Sequence, residues 1–137
     1  MTEARATIDR LAAATNAHDL EGIVACFADD YELTAPIHPA RSFRGTAQVR
    51  ANWSQMLGAV PDLAVRVVRS AYDGDVAWTE WEMRGTRRDG AKHAVAGVFV
   101  FGVNDARIRW GRMFLEPVDE SSGDMNAAVR AITGRAT

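Results

Sequence analysis

Over the first sixty residues apolar side chains recur every three or four positions, and after Pro61 they recur every second position, so a helical half precedes a β half. Ile8, Leu11, Ala12 and Thr15 share one face of a helix predicted over Ala4 to Ala17. His18 and Asp19 interrupt it. Asp19 is a good N-cap for a second helix, Leu20 to Ala28, whose Leu20, Ile23, Val24 and Phe27 lie together, and His18 at the junction reads as a helix-end residue that satisfies free carbonyls. Tyr31 to Ala35 reads as a short strand and Pro36 to Gly45 as a loop. Thr46 then caps a third helix, Ala47 to Leu57, with Val49, Trp53, Met56 and Leu57 pointing inward. Four strands follow: Leu63 to Tyr72, Val76 to Arg87, Lys92 to Val103 and Arg107 to Pro117. The turns between them are Asp73-Gly74, Asp89-Gly90 and Asn104-Asp105, which is hairpin chemistry. The order α-α-β-α-β-β-β-β predicts an α+β domain with helices on one face of a curved antiparallel sheet. That single domain covers residues 1–118, and a polar tail, 119–137, carries a short helix from Met125 to Ile132.

Composition narrows the classes of function. The 137 residues suffice for one domain with its own core. Sixteen Lys and Arg are scattered against eighteen acids, for a net charge of −2, so there is no basic stripe for nucleic acid. Cys26 is the only cysteine and sits in the apolar run IVACF, which excludes a disulfide framework and a cysteine zinc site. The start, MTEARATIDR, lacks a cationic end followed by an apolar run, and the longest apolar run, Ala94 to Val103, is too short to span a bilayer. A soluble cytoplasmic protein with no membrane or nucleic-acid partner is the expectation.

The segment IRWGRMFLEP holds the most distinctive chemistry. Alternation puts Trp110, Arg112 and Phe114 on one face of the last strand, an aromatic surface carrying one cation. A strand arginine that lays its stem over aromatics with its head in water gives the same pattern, so the two readings stand side by side. His38 in PIHPAR and His93 at a strand start are candidate general bases. Neither they nor His18 has the companion spacing of a metal ligand, and no glycine loop of the phosphate-cradling kind is present.

The stretches NAHDLEGIVACFADDYEL, the proline-containing loop with RGT, GVFVF and IRWGRMF together resemble the nuclear transport factor 2-like superfamily. Within it the nearest likenesses are the SnoaL-like polyketide cyclases, the ketosteroid isomerases and the limonene-epoxide hydrolases, over about Ile8 to Val118. The resemblance implies a cone-shaped fold in which a sheet curls around an apolar pocket. Carried over residue by residue, it removes the known activities. The isomerase general base falls on Ala35, its first-helix tyrosine on Leu11 and its protonated aspartate on Gly97, while the hydrolase triad falls on Trp81, Met83 and Arg112. The hydrolases' water-holding positions fall on Glu32 and Thr34, whereas the isomerase register points Ala35 inward; both registers remain open.

The resemblance further implies that Thr79, Trp81 and Met83, then His93, Val95, Gly97, Phe99 and Phe101, then Trp110, Arg112 and Phe114 face the pocket. Trp78, Glu80 and Glu82 then face outward, on a convex surface that would form a homodimer. Arg112 in such surroundings needs a partner, which Glu32, Glu116 or a ligand oxygen could supply. The expected ligand is a small apolar or aromatic molecule bearing an oxygen. Candidate catalytic residues are Arg112, His93, His38 and Glu32, with Trp81, Met83, Phe99, Trp110, Phe114 and Thr34 as ligand contacts and no cofactor or metal. The leading function is a cofactor-free enzyme of the SnoaL-like type, a cyclase, isomerase or hydratase working by acid–base chemistry. The rival is a non-catalytic small-molecule-binding protein on the same fold.

Overall fold

The computed structural model describes residues 3–134. Helix α1 spans Glu3–Asn16 and buries Ala4, Thr7, Ile8, Leu11 and Thr15, a stripe at three- and four-residue spacing. The Thr7 and Thr15 hydroxyls donate to the carbonyls of Glu3 and Leu11, so both polar groups are satisfied inside the core face. Asp19 caps α2 (Leu20–Ala25) by accepting from the Gly22 amide at 3.0 Å, as the sequence predicted. His18 closes the junction in the left-handed region, φ 56°, and its Nε2 bonds the Leu63 carbonyl at 2.8 Å. It sits at the helix end as expected, but the carbonyl its ring satisfies is that of Leu63, outside the helix.

Helix α2 is shorter than its apolar periodicity suggested. Cys26 is its C-cap and Phe27 already begins strand β1, Phe27–Thr34. A 3-10 turn at Pro39–Arg41 and a two-residue strand β2, Phe43–Arg44, occupy the predicted loop. Gly45, not Thr46, takes the cap position of α3 (Thr46–Ala59), with a backbone φ of 93° that favours glycine. The remaining strands are β3 (Ala64–Asp73), β4 (Val76–Thr86), β5 (Lys92–Asn104) and β6 (Arg107–Pro117), followed by α4 (Met125–Thr133).

The six strands form one mixed sheet in the order β2-β1-β6-β5-β4-β3, and β1 runs parallel to β6 while the other pairs are antiparallel. Asn16, at the end of α1, fastens the sheet edge: its side-chain amide donates to the Val65 carbonyl and accepts from the Val65 amide, at 3.0 and 2.7 Å. Inner-face residues of β4 are buried, Thr79, Trp81 and Met83 among them, while Trp78 is 54 % exposed. Glu80 and Glu82 point away from the core and pair across the strand with Arg69 and Arg66. The outward assignment of these three residues therefore holds.

Two irregularities shape the cone. Gly97, in the middle of β5, has φ 150°, and a Cβ there would overlap the Phe114 carbonyl on β6. Glycine is required on both counts. The second is a bulge in β6: Ile108 pairs with Val103 and Trp110 with Gly102, so Arg109 is an extra residue. Alternation then inverts. Ile108 is fully buried, but beyond the bulge the inward positions are Gly111, Met113 and Leu115, and Trp110, Arg112 and Phe114 face outward.

If Gly97 sets the bend, Gly97→Ala destabilises the fold by about 2–3 kcal/mol, because a Gly-only backbone geometry costs about 1–3 kcal/mol and steric overlap adds to it. Gly74→Ala, at a left-handed turn with open space around it, costs only about 1 kcal/mol. Urea denaturation of the two variants makes the comparison, and equal losses would contradict the role given to Gly97.

Candidate ligand-binding site

A half-open cavity of about 240 Å³ lies between the inner face of the sheet and the helices. Helix α3 contributes Val49, Asn52, Trp53 and Met56; β5 contributes Val95, Phe99 and Phe101; β6 contributes Met113 and Leu115. Leu11, Phe43 and Met83 close it from α1, β2 and β4. Its β1 wall is Phe27, Tyr31 and Leu33. Alternation on β1 therefore follows the isomerase-like register, with Tyr31, Leu33 and Ala35 buried at 2 %, 5 % and 2 % exposure.

Almost every lining group is apolar, and no carboxylate, histidine, lysine, arginine or cysteine is among them. Tyr31 is the exception that carries chemistry. Its ring is held edge-on by Phe27 and Phe43, with centroids at 4.7 and 6.0 Å. Its hydroxyl lies over Gly111, where a Cβ would stand only 2.6 Å away, so this glycine makes room for the phenol. Among the described residues the hydroxyl has no hydrogen-bond partner. Burial pushes its pKa well above the ordinary tyrosine value, which keeps it a neutral donor. The hydroxyl is not sealed within the core; it opens onto the cavity, where an occupant can accept from it. Asn52, more exposed, already accepts a hydrogen bond from Gln48 at 2.7 Å.

The expected site residues divide as follows. Met83 and Phe99 line the cavity. Trp81 points inward but belongs to the core, 2 % exposed, with its indole N–H donating to Thr79 at 2.7 Å and its ring set edge-on to Phe99. Trp110, Arg112 and Phe114 are corrected to the outer face by the bulge at Arg109. Arg112 pairs there in register with Val100, and among the described residues it has no ion-pair partner. Glu32 and Thr34 also lie outside the cavity, on the face opposite Tyr31 and Leu33. Glu32 sits beside Trp110 and is ion-paired with Arg44 at 2.7 Å, and Thr34 is in register with Arg112.

His38 does not line the cavity. It bonds Glu116, with Arg41 3.4 Å from the same carboxylate, and the two together, His38 foremost, hold the Glu116 pKa below the usual range. His93 keeps the inward direction expected of it, at the open end of β5, but lines a second cavity and not the first. Sequence reasoning missed the β1 wall (Phe27, Tyr31 and Leu33), Phe43 and Asn52, and Met113 and Leu115 on β6. Alternation from Leu33 and Ala35 pointed to Tyr31; nothing in the residue types of β6 announced the bulge.

Among the described residues no three His, Cys, Asp or Glu side chains converge to hold a metal ion, and no helix is long and apolar enough to cross a membrane. A family model for the SnoaL-like domain matches residues 8–110. No curated protein matches the chain. Among solved structures, a loop-truncation variant of IdmH is 24 % identical, with TM-score 0.70 over 82 % of this chain and 92 % of that one. An LEH-like epoxide hydrolase of Mycobacterium tuberculosis is 21 % identical, with TM-score 0.71 over 96 % of each chain. Another M. tuberculosis protein, solved with estradiol-17β-hemisuccinate, is 22 % identical, with TM-score 0.70 over 82 % of this chain and 92 % of that one. At these identities the likeness is one of fold.

Because its desolvated phenol stays protonated when the unfolded one ionises, Tyr31 contributes stability that is complete below pH about 10 and declines as the pH rises further. Between pH 10 and 11 wild type should lose about 1 kcal/mol more than Tyr31→Phe, measured by urea denaturation at each pH. Parallel losses in the two proteins would mean that the phenol is solvated.

Proposed function

The chain belongs to the SnoaL-like domain family within the NTF2-like superfamily, and we propose that its inner cavity binds a compact, largely apolar molecule whose oxygen accepts a hydrogen bond from Tyr31. The observation that carries this reading is the Tyr31 hydroxyl, a neutral donor without a protein partner at an otherwise apolar wall. A ligand oxygen accepts from it and replaces the solvent that the apolar body of the ligand displaces. A volume of about 240 Å³ suits one or two fused rings. The complex of the related M. tuberculosis protein with a steroid ester supports small-molecule binding on this fold.

Of the two functional readings, the cavity favours binding without acid–base turnover. A neutral phenol polarises a carbonyl, but cyclisation, isomerisation or hydration by acid–base chemistry also requires a group that takes a proton, and the lining supplies none. Titration with 2-acetylnaphthalene and 2-ethylnaphthalene, which differ in one carbonyl oxygen, tests this. Tyr31→Phe should weaken the ketone about three- to ten-fold and leave the hydrocarbon unchanged. Equal effects on both ligands would mean that Tyr31 only shapes the wall.

The outer face of the sheet supports a homodimer. Cross-strand register brings Trp78, Val100 and Arg112 into one row, Glu80, Val98 and Phe114 into the next, and Val76, Gly102 and Trp110 into a third. Trp78, Trp110 and Phe114 are 54 %, 38 % and 38 % exposed, a large aromatic surface for a lone chain. The unpaired Arg112 beside the row of Glu80 gives this surface both signs of charge, as a two-fold contact between copies needs. Light scattering at tens of micromolar should report a dimer that Trp78→Glu converts to monomer, and a monomeric wild type would contradict the assignment.

A further inference from the structure

Beyond Val95 the inner face of the sheet opens into a second cavity, of about 360 Å³, that differs in character from the first. Val95 lines both, so the two adjoin at this residue. Whereas the first is apolar, the second is lined by Arg87, Lys92 and His93, with Glu120 its one carboxylate. Lys92 meets Glu120 at 3.1 Å, and Arg87 meets Asp89, which is not part of the lining. Two cations and a histidine thus face a single acid. His93 Nε2 is enclosed and has no hydrogen-bond partner among the described residues, although a buried polar atom is expected to have one.

His93 follows the same alternation as Val95, two residues and about 7 Å along the strand. A molecule whose apolar body fills the first cavity therefore reaches His93 with a linker of three or four atoms. We infer that the ligand of the inner cavity is a hydrophobic acid, whose anionic head crosses Val95 and is received by His93, Arg87 and Lys92. The inference rests on the reading of the inner cavity given above and specifies its substrate class. An anion accepts from the free His93 nitrogen, and Arg87 and Lys92, each held at the surface by one carboxylate, have further N–H donors to turn toward it; charge-assisted hydrogen bonds are stronger than neutral ones.

The test uses 4-(4-methoxyphenyl)butanoic acid and the matched 4-(4-methoxyphenyl)butan-1-ol, titrated calorimetrically into wild type, His93→Gln and Arg87→Gln at constant ionic strength. The acid should bind wild type at least ten-fold more tightly than the alcohol. Each variant should weaken the acid several-fold and leave the alcohol as it was. Arg87 lies on the exposed hairpin turn, so its replacement keeps the test available if His93→Gln fails to fold. If acid and alcohol bind wild type alike, or if neither variant touches the difference, the anionic head is overturned while the apolar cavity stands. If neither compound binds, the inner-cavity reading falls and this inference with it.

Discussion

A single extra residue in β6 decides what this protein can hold. Arg109 has no opposite number on β5, and from that point the strand presents Gly111, Met113 and Leu115 to the interior and Trp110, Arg112 and Phe114 to the outside. Without the bulge, a guanidinium would enter the cone, where it would need a buried counter-charge. With it, the cavity is lined by methionine, leucine and aromatic carbons, and Gly111 arrives where the Tyr31 hydroxyl needs space. Gly102 receives the Trp110 indole on the other face for the same reason, since a Cβ there would overlap that ring. Interior chemistry and exterior stickiness are thus two consequences of one register.

Inside, the balance of costs points to a ligand. An unpartnered phenol at an apolar wall gains nothing for the free protein, and phenylalanine would fit the same ring contacts with Phe27 and Phe43. A hydroxyl left without a protein partner at such a wall is available to a ligand acceptor, which is the reading proposed for it. The same reasoning applies to the enclosed nitrogen of His93 at the far side of Val95. Neither group lies on the outer face, where Glu32 is neutralised by Arg44 and Glu116 by His38 and Arg41.

Much of the architecture was legible in the residues. The three hairpins, the α1 stripe and the Asp19 cap each rest on local chemistry and are present, although two of the turns fall one residue later than expected, at Gly74-Asp75 and Asp105-Ala106. The outward direction of Trp78, Glu80 and Glu82 followed from strict alternation in a strand whose bulged neighbour is β3, not β5. Two features could not be read. Phe27 continues the helical spacing of Ile23 and Val24 yet starts β1, because apolar periodicity near a helix end fits either element. The extra residue is an arginine between Ile108 and Trp110, with no glycine or proline at the bulge itself, and Trp110 and Phe114 on one face look as fit for burial as Met113 and Leu115 on the other. The inward placement expected of Arg112 failed because of that one unmarked residue, and Tyr31 is the hydroxyl that lines the cavity instead.

The methionines offer the most direct test of where the ligand sits. Met56, Met83 and Met113 line the inner cavity, whereas Met125 is 75 % exposed on α4 and serves as an internal control. In a protein labelled with 13C at the methionine methyls, titration with 2-acetylnaphthalene should shift the Met56, Met83 and Met113 signals together and leave Met125 in place. If those three signals stay fixed while the indole N–H resonances of Trp78 and Trp110 move, the ligand is on the outer face and the inner cavity is not the functional site.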